Sequence, residues 1–278
     1  MSMTLSPYAL TTVARLKSHL VRSTVGESDV TDRCIGAINS ATAWMERRTG
    51  RKLKARNWRT AFTVVCDNVS GASYDVSGAA GDTIRRGDDF YDAVNGYVPI
   101  GTQVVSYESA TDSFVGTSGA TTPLSTDLLT FGSFPLVCDG TGESVLYVHE
   151  WPLVSVWAAY AVDSAGNRTA LDITSARVDE MGGRLELPYD VFPEGEQNIE
   201  LECRAGYEEP TTKVRGHFEE WAALERLCLR IAEIYYSDDL SLRGRNTDIT
   251  MGGVSSRVND FDMPEDVRAA IFPFVRTR

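Results

Sequence analysis

The sequence lacks the residues on which most enzymes and most cross-linked folds depend. His19, His149 and His217 are the only three histidines in 278 residues, and each falls in a different predicted segment. The five cysteines, Cys34, Cys66, Cys138, Cys203 and Cys228, are odd in number, widely spaced and never arranged as CxxC. This excludes the usual zinc and thioredoxin patterns. Buried free thiols in a reducing compartment are the expected state. HExxH, GxSxG, GxxxxGK[ST] and GxGxxG are all missing. Long hydrophobic runs are missing too. The longest, Trp151 to Val162, is about half of the ~20 residues a membrane span needs. The N-terminus has no apolar signal-peptide core.

What is present reads as a globular chain. Hydrophobic residues make up 42% and charged residues 24%, enough for a core without disulfide or metal. The length suggests about two folding units. The net charge of −12 comes from 27 basic and 39 acidic residues, but residues 1–60 hold 11 basic against 4 acidic. The acidic remainder argues against non-specific DNA binding, because polyphosphate is repelled. The local exception is Arg47, Arg48, Arg51, Lys52, Lys54, Arg56 and Arg59, a candidate contact for DNA or an acidic partner. Its plainer reading is a solvated helix end, with Arg47 and Arg48 answering the helix dipole. Only Trp58 interleaves it, so stacking platforms for single strands are absent.

Periodicity predicts helices over 12–20, 29–49 and 217–236. In the second, Val30, Cys34, Ile38, Ala41 and Met45 recur at spacings of three and four, and Gly50 ends it. In the third, Phe218, Trp221, Leu224, Cys228, Ile231 and Tyr235 share a face. Trp58 to Cys66 alternates as a strand. Residues 67–142 are rich in Gly, Ser, Thr and Asp, with Arg85 and Arg86 their only basic residues. Strand-like segments at Tyr97–Val105 and Leu128–Phe131 make this stretch an inserted β module, since a flexible linker would lack such apolar anchors. Strands follow at 145–148, 154–162, 169–173, 184–187 and 199–204. The last alternates Ile199, Leu201 and Cys203 with Glu200, Glu202 and Arg204, giving one wet face. A polar loop over 237–262 precedes a short helix led by Pro264.

The search for chemistry is mostly negative. His149, in an apolar strand segment, reads as a hydrogen-bonded group and not a base. Asp88, Asp89 and Asp92 resemble a cation site but lack EF-hand spacing, so a solvated acidic turn is the plainer reading. Arg86-Gly87-Asp88 matches an integrin-type tripeptide of a length that recurs by chance. Ile271, Phe272 and Phe274 near the end are costly to leave in water and either fold back or dock into a partner.

Four stretches carry a family resemblance. They are Leu10 to Leu20; Ala41 to Leu53 with Trp58; Trp151-Pro152-Leu153-Val154-Ser155-Val156 through Ala205-Gly206-Tyr207 and the helix to Tyr235-Tyr236; and Met263-Pro264-Glu265-Asp266 to Phe274. Their order resembles that of tailed-bacteriophage head–tail connector (adaptor, head completion) proteins, over residues 5–66 and 143–278. Residues 67–142 depart from it, where the family commonly has a short connection. The resemblance implies a structural virion protein of the neck, without catalysis or cofactor. It implies a dodecameric ring beneath the portal, helices lining a passage that DNA crosses without specific binding, and a tail-side neck or tail completion protein as the other partner. It places the protein in the virion after assembly in the host cytoplasm, with no membrane contact.

The resulting expectation is an α+β fold. A helical bundle core carries an antiparallel β part and a large inserted β domain. The segments are 1–66 (helices and first strand), 67–142 (inserted module), 143–236 (strands and long helix) and 237–278 (extended loop and docking segment). Pro264, Ile271, Phe272, Phe274, Arg276 and Arg278 are the expected docking residues for the portal or a neighbouring subunit. Arg47, Arg48, Arg51, Lys52 and Lys54 are the expected partner or DNA contacts. Trp157, Tyr160, Phe218 and Trp221 are candidate subunit anchors. The alternative function is a cell-surface or carbohydrate-binding β protein, resting on the inserted module. A hydrolase is a more distant rival.

Overall fold

A computed structural model describes residues 4–20, 28–76, 84–98, 102–108, 111–121, 124, 127–132, 134–210, 218–245 and 263–275. The chain divides into a unit built from its two ends, Met1–Lys54 and Tyr207–Arg278, and a second unit, Ala55–Gly206.

The first unit is helical. α1 (Val13–His19) is capped by the Thr12 hydroxyl, which accepts from the Arg15 N–H, satisfying one of the otherwise orphaned donors of its first turn. α2 (Ser28–Thr49) buries Cys34, Ile38, Ala41 and Met45, the stripe its spacing predicts. It stops at Gly50, whose φ of +71° is a left-handed conformation that disfavours a side chain. α3 (Phe218–Arg245) packs on α2 through Trp221, Leu224, Cys228 and Ile231. It continues nine residues beyond its predicted end at Tyr236, into the segment expected to be loop. Arg15 of α1 pairs with Glu225 of α3. α4 (Glu265–Ile271) buries Val267 and Ile271, and a 3-10 turn, Phe272–Phe274, follows it.

The second unit is entirely β among its described residues. Its centre is β14 (Gly195–Ala205), the long strand whose alternation was clear in sequence. Ile199, Leu201, Cys203 and Ala205 are buried on one face. β10 (Leu153–Val162) lies antiparallel along one side of it, with β11 (Arg168–Ala170) beyond. β8 (Leu136–Gly140) and β1 (Arg56–Trp58) pair with it in succession, at residues 195–201 and 203–205 of β14. A three-stranded sheet of β12 (Arg177–Asp179), β13 (Arg184–Glu186) and β9 (Val145–Tyr147) contributes Leu146 and Leu185 to the same core, beside Leu153, Leu187 and Phe192.

The remaining strands close into a barrel, in the order β2 (Phe62–Ser70), β3 (Ser73–Val76), β6 (Ser113–Gly116), β5 (Thr102–Glu108), β4 (Asp89–Asp92) and β7 (Asp127–Phe131). Closure removes the exposed edges that strands this short would otherwise present. Its interior is filled by aromatic rings. Tyr74, Phe90, Phe114 and Phe131 stack or meet edge-on with centroids 4.9–5.4 Å apart. A Cβ at Gly116 would stand 2.7 Å from the Phe90 ring, so the ring cluster demands glycine there. The barrel begins at Phe62 and ends at Phe131, so its limits differ from the 67–142 segment drawn from composition.

The expectation of a helical bundle core is overturned. The fold is mainly β, with fourteen strands against four α-helices among the described residues. Helices announce themselves over long windows, whereas a strand of three or four residues shows only one or two inward side chains. The sequence pattern therefore predicts no strand at β3, β4, β6, β8 or β12, each of which buries two side chains or fewer. The predicted strand Trp58–Cys66 is two strands, interrupted where the Arg59 side chain turns inward.

Phe90→Ala should remove the centre of the ring cluster and lower stability by about 3–5 kcal/mol. The check is a denaturant titration followed by near-ultraviolet circular dichroism, where the aromatic signal should be lost at lower denaturant than in the wild type.

Candidate interaction surfaces

In the helical unit, the predicted basic cluster splits into two kinds of residue. Arg47 and Arg48 are exposed in the last turn of α2, where positive charge suits the carbonyl end of a helix. Arg51, one residue past Gly50, is buried. Its Nε donates to the carbonyl of Phe274 at 2.9 Å and its Nη2 to the Tyr207 hydroxyl at 3.2 Å. The guanidinium also lies 5.3 Å from the Tyr207 ring centre, and Phe274 meets that ring edge-on. Burial pushes the Tyr207 hydroxyl up, against the opposing pull of Arg51. Lys52 pairs with Glu46 at 2.8 Å. Lys54 pairs with Glu209 and donates to the Ala9 carbonyl at 3.3 Å. Arg51 therefore ties two distant parts of the chain to the end of α2 and is not available to a partner, whereas Arg47 and Arg48 are.

The tail residues divide in the same way. Pro264 caps α4 without a side-chain hydrogen bond. Ile271 and Phe274 are buried in their own unit, while Phe272 is 74% exposed. In the single chain two of the tail's three apolar anchors are core residues, and residues 246–262 of the expected loop lie outside the described residues. The physical reason is the Arg51 clasp, which gives the tail a polar as well as an apolar attachment. Arg276, Arg278 and Phe218's side chain lie outside the described residues.

In the β unit, the acidic run holds a different surprise. Asp88 is fully buried. It accepts from Asn57 Nδ2 at 2.8 Å, Arg59 Nη1 at 3.1 Å and the Arg85 backbone N–H at 2.8 Å. Burial pushes its carboxyl up, and these donors pull against that. The reading of a solvated acidic turn is thus corrected, and Arg86-Gly87-Asp88 cannot present its aspartate to a receptor. Asp92 instead closes the turn after β4, accepting from the N–H groups of Val94 and Asn95 at 2.9 Å and of Tyr97 at 3.2 Å. Arg59 also lies over Phe62 at 4.5 Å and Trp157 at 5.9 Å. Arg85 lies over Trp157 at 4.6 Å. Trp157 and Tyr160 are half-buried under arginines, and Trp221 is buried in the helical unit. The Arg85–Trp157 pairing has no local sequence pattern. The available signal was that Arg85 and Arg86 are the only basic residues in a stretch otherwise free of them.

His149 lies in the bend after β9, not within a strand, and His217 is outside the described residues. All five cysteines are free and buried. Burial pushes the Cys66 and Cys228 thiols up to about 12 and Cys203 well above its ordinary value, the opposite of a poised nucleophile. No group of three or more potential metal ligands occurs among the described residues, and none of their helices is long and apolar enough to cross a membrane.

No protein-family model matches the sequence, and no curated protein matches it. Among solved structures, the chain is similar to one in the neck of an empty gene transfer agent (GTA) particle computed with C6 symmetry. The identity is 16%, the coverage 100% of this chain and 95% of that one, and the TM-score 0.41. A chain of the virion of a native GTA particle gives 17% identity, the same coverage and a TM-score of 0.41. One in the neck of a native GTA particle computed with C12 symmetry gives 16% and 0.39.

Two substitutions test these networks. Asp88→Ala strands Arg59 in a buried site and should cost about 3 kcal/mol of stability, read from denaturant midpoints. Arg51→Met keeps bulk but removes charge-assisted hydrogen bonds worth about 1.5–3 kcal/mol. It should also open the chain near Phe274 to limited proteolysis.

Proposed function

We propose that this chain is a structural protein of a tailed-bacteriophage neck. It acts as a head–tail connector, or adaptor, that docks beneath the portal as a ring of like subunits, dodecameric in the family it resembles. The ring continues the DNA passage and offers a platform to a tail-side neck or tail completion protein. The observation that carries this reading is the gathering of chain ends. Resembling stretches at Leu10–Leu20, Ala41–Leu53, the α3 helix and Met263–Phe274 fold into one helical unit closed by the Arg51 clasp, while Trp58 and the stretch from Trp151 to Gly206 belong to the β unit. A large β unit is inserted between Lys54 and Tyr207. The function is then geometric, and the contacts of the helical unit would come from exposed groups, Phe272 with Arg47 and Arg48. The β unit holds 22 acidic against 8 basic residues, a balance that suits a surface past which DNA moves without adhering. The rival reading, a carbohydrate-binding barrel, meets an interior already occupied by Tyr74, Phe90, Phe114 and Phe131.

The test is docking to the cognate portal, by co-sedimentation and negative-stain imaging. The wild-type chain should add ring density at the tail-side face of the portal. Phe272→Asp should weaken docking by about tenfold or more, since a buried Phe side chain contributes about 1.5–3 kcal/mol. It should leave the melting temperature unchanged, because Phe272 is exposed in the free protein. A chain that never binds the portal, but is retained on a glycan array, would contradict the proposal.

A further inference from the structure

Arg59, Arg85, Arg86 and Arg204 are linked through Asn57 and Asp88 near the Arg204 end of β14. Arg204 donates to Asn57 Oδ1 at 2.8 Å, and Asn57 Nδ2 donates to the Arg86 carbonyl at 3.1 Å. Arg168 pairs with Glu200 and donates to the Thr60 hydroxyl at 2.9 Å. Arg59 is held by Asp88. Arg85 and Arg86 are different. Both are exposed, and among the described residues neither guanidinium makes an ion pair or a hydrogen bond. Arg85 instead lies over Trp157, its Cζ 4.6 Å from the ring centre, with burial and the like charge of Arg59 pushing its pKa down against the pull of Asp88 and Glu202. A guanidinium fixed on an aromatic face keeps its N–H edge free for a carboxylate. Arg85 on its aromatic face and Arg86 beside it, both exposed in a unit with 22 carboxylates, form a basic patch that a carboxylate of another molecule can reach.

The other end of β14 carries the complement. The loop between β13 and β14 exposes Tyr189, Asp190, Val191, Glu194 and Glu196, with Tyr189 at 90%. The loop is anchored from within. Phe192 is fully buried and its N–H donates to the Glu143 carbonyl at 2.8 Å, while Asn198 Nδ2 donates to the Pro193 carbonyl at 3.0 Å. An exposed tyrosine beside carboxylates on a held loop has the chemistry of an interface anchor. Gly195 and Arg204 lie nine residues apart on one strand, about 30 Å at roughly 3.3 Å per residue. The loop and the arginine patch of one subunit thus sit at opposite ends of the strand.

We propose that the loop 187–196 of one copy seats on the Arg85–Arg86 patch of a second copy. Asp190 and Glu194 pair with the guanidinium groups, and Tyr189 covers the exposed arginine edge. Two complementary surfaces at opposite ends of one strand make a head-to-tail contact, the kind that closes into a ring. The contact rests on the ring-forming reading given above and specifies which surfaces make it. A nucleic-acid phosphate is the competing occupant of the patch, and the acidic surroundings disfavour it.

The experiment is a charge exchange in the full-length chain, read by sedimentation velocity and mass photometry at physiological salt. Arg85→Glu with Arg86→Glu reverses the patch, and Asp190→Arg with Glu194→Arg reverses the loop. Circular dichroism and melting report folding, and the loop variant protects the test if the patch variant folds poorly, because its sites are exposed. Each reversed chain alone should self-associate at least tenfold more weakly than the wild type. An equal mixture should recover assembly, since every contact in an alternating ring then joins opposite charges. Wild-type rings with both variants assembling normally would overturn this contact and leave the ring reading standing. Failure of the mixture to recover would also overturn it. A wild type that stays monomeric, alone and with portal, would overturn both. Loss of retention on double-stranded DNA by the patch variant, with assembly intact, would assign the patch to phosphate instead.

Discussion

The β unit depends on one strand. β14 is paired along one side by β10 and along the other by β8 and then β1, so three strands take their register from it. Its inward residues, Ile199, Leu201, Cys203 and Ala205, anchor the core shared by both sheets. Its outward residues do a second task. Glu202 accepts from the Thr60 N–H at 3.3 Å and Arg204 binds Asn57, and Asn57 in turn holds Asp88 at the mouth of the barrel. The alternation of one strand thus fixes a hydrophobic interior on one face and the seat of the barrel on the other. A register slip of one residue would exchange the two faces.

The helical unit depends on an equivalent point, where a basic residue is taken out of solvent. Arg51 follows the α2 stop at Gly50 and bonds a carbonyl contributed by the far end of the chain. A buried guanidinium is costly unless its N–H groups are answered. The clasp is therefore sensitive to the placement of both Tyr207 and Phe274. This explains why the apolar tail folds back in place, and why the group it leaves outside, Phe272, is the one with surface to offer.

The sequence made long elements legible and short ones obscure. α2, α3 and β14 each place five or more side chains in one repeating pattern, and their positions could be read directly. The barrel could not, because strands such as Ser73–Val76 and Ser113–Gly116 bury only two side chains and one, respectively, and closure depends on pairings distant in sequence. Charge was legible as composition but not as placement. Arg51 and Asp88 looked like members of solvated runs. Each is buried because a partner over 25 positions away in sequence meets it: Phe274 and Tyr207 for Arg51, Asn57 and Arg59 for Asp88. Arg85 and Arg86 stand out only by their isolation in a basic-poor stretch, and the ring that Arg85 rests on, Trp157, is some seventy residues further along the chain.

In the proposed ring, loop 187–196 of each copy meets Arg85 and Arg86 of the next, and Phe272 contacts the portal. A cryo-electron microscopy reconstruction of the protein assembled on its portal tests this most directly. The predicted map shows a closed ring in which density for the 187–196 loop of each subunit abuts Arg85 and Arg86 of the next, with Phe272 turned towards the portal. A map in which β units of adjacent subunits do not touch, or in which Phe272 is remote from the portal, would contradict it.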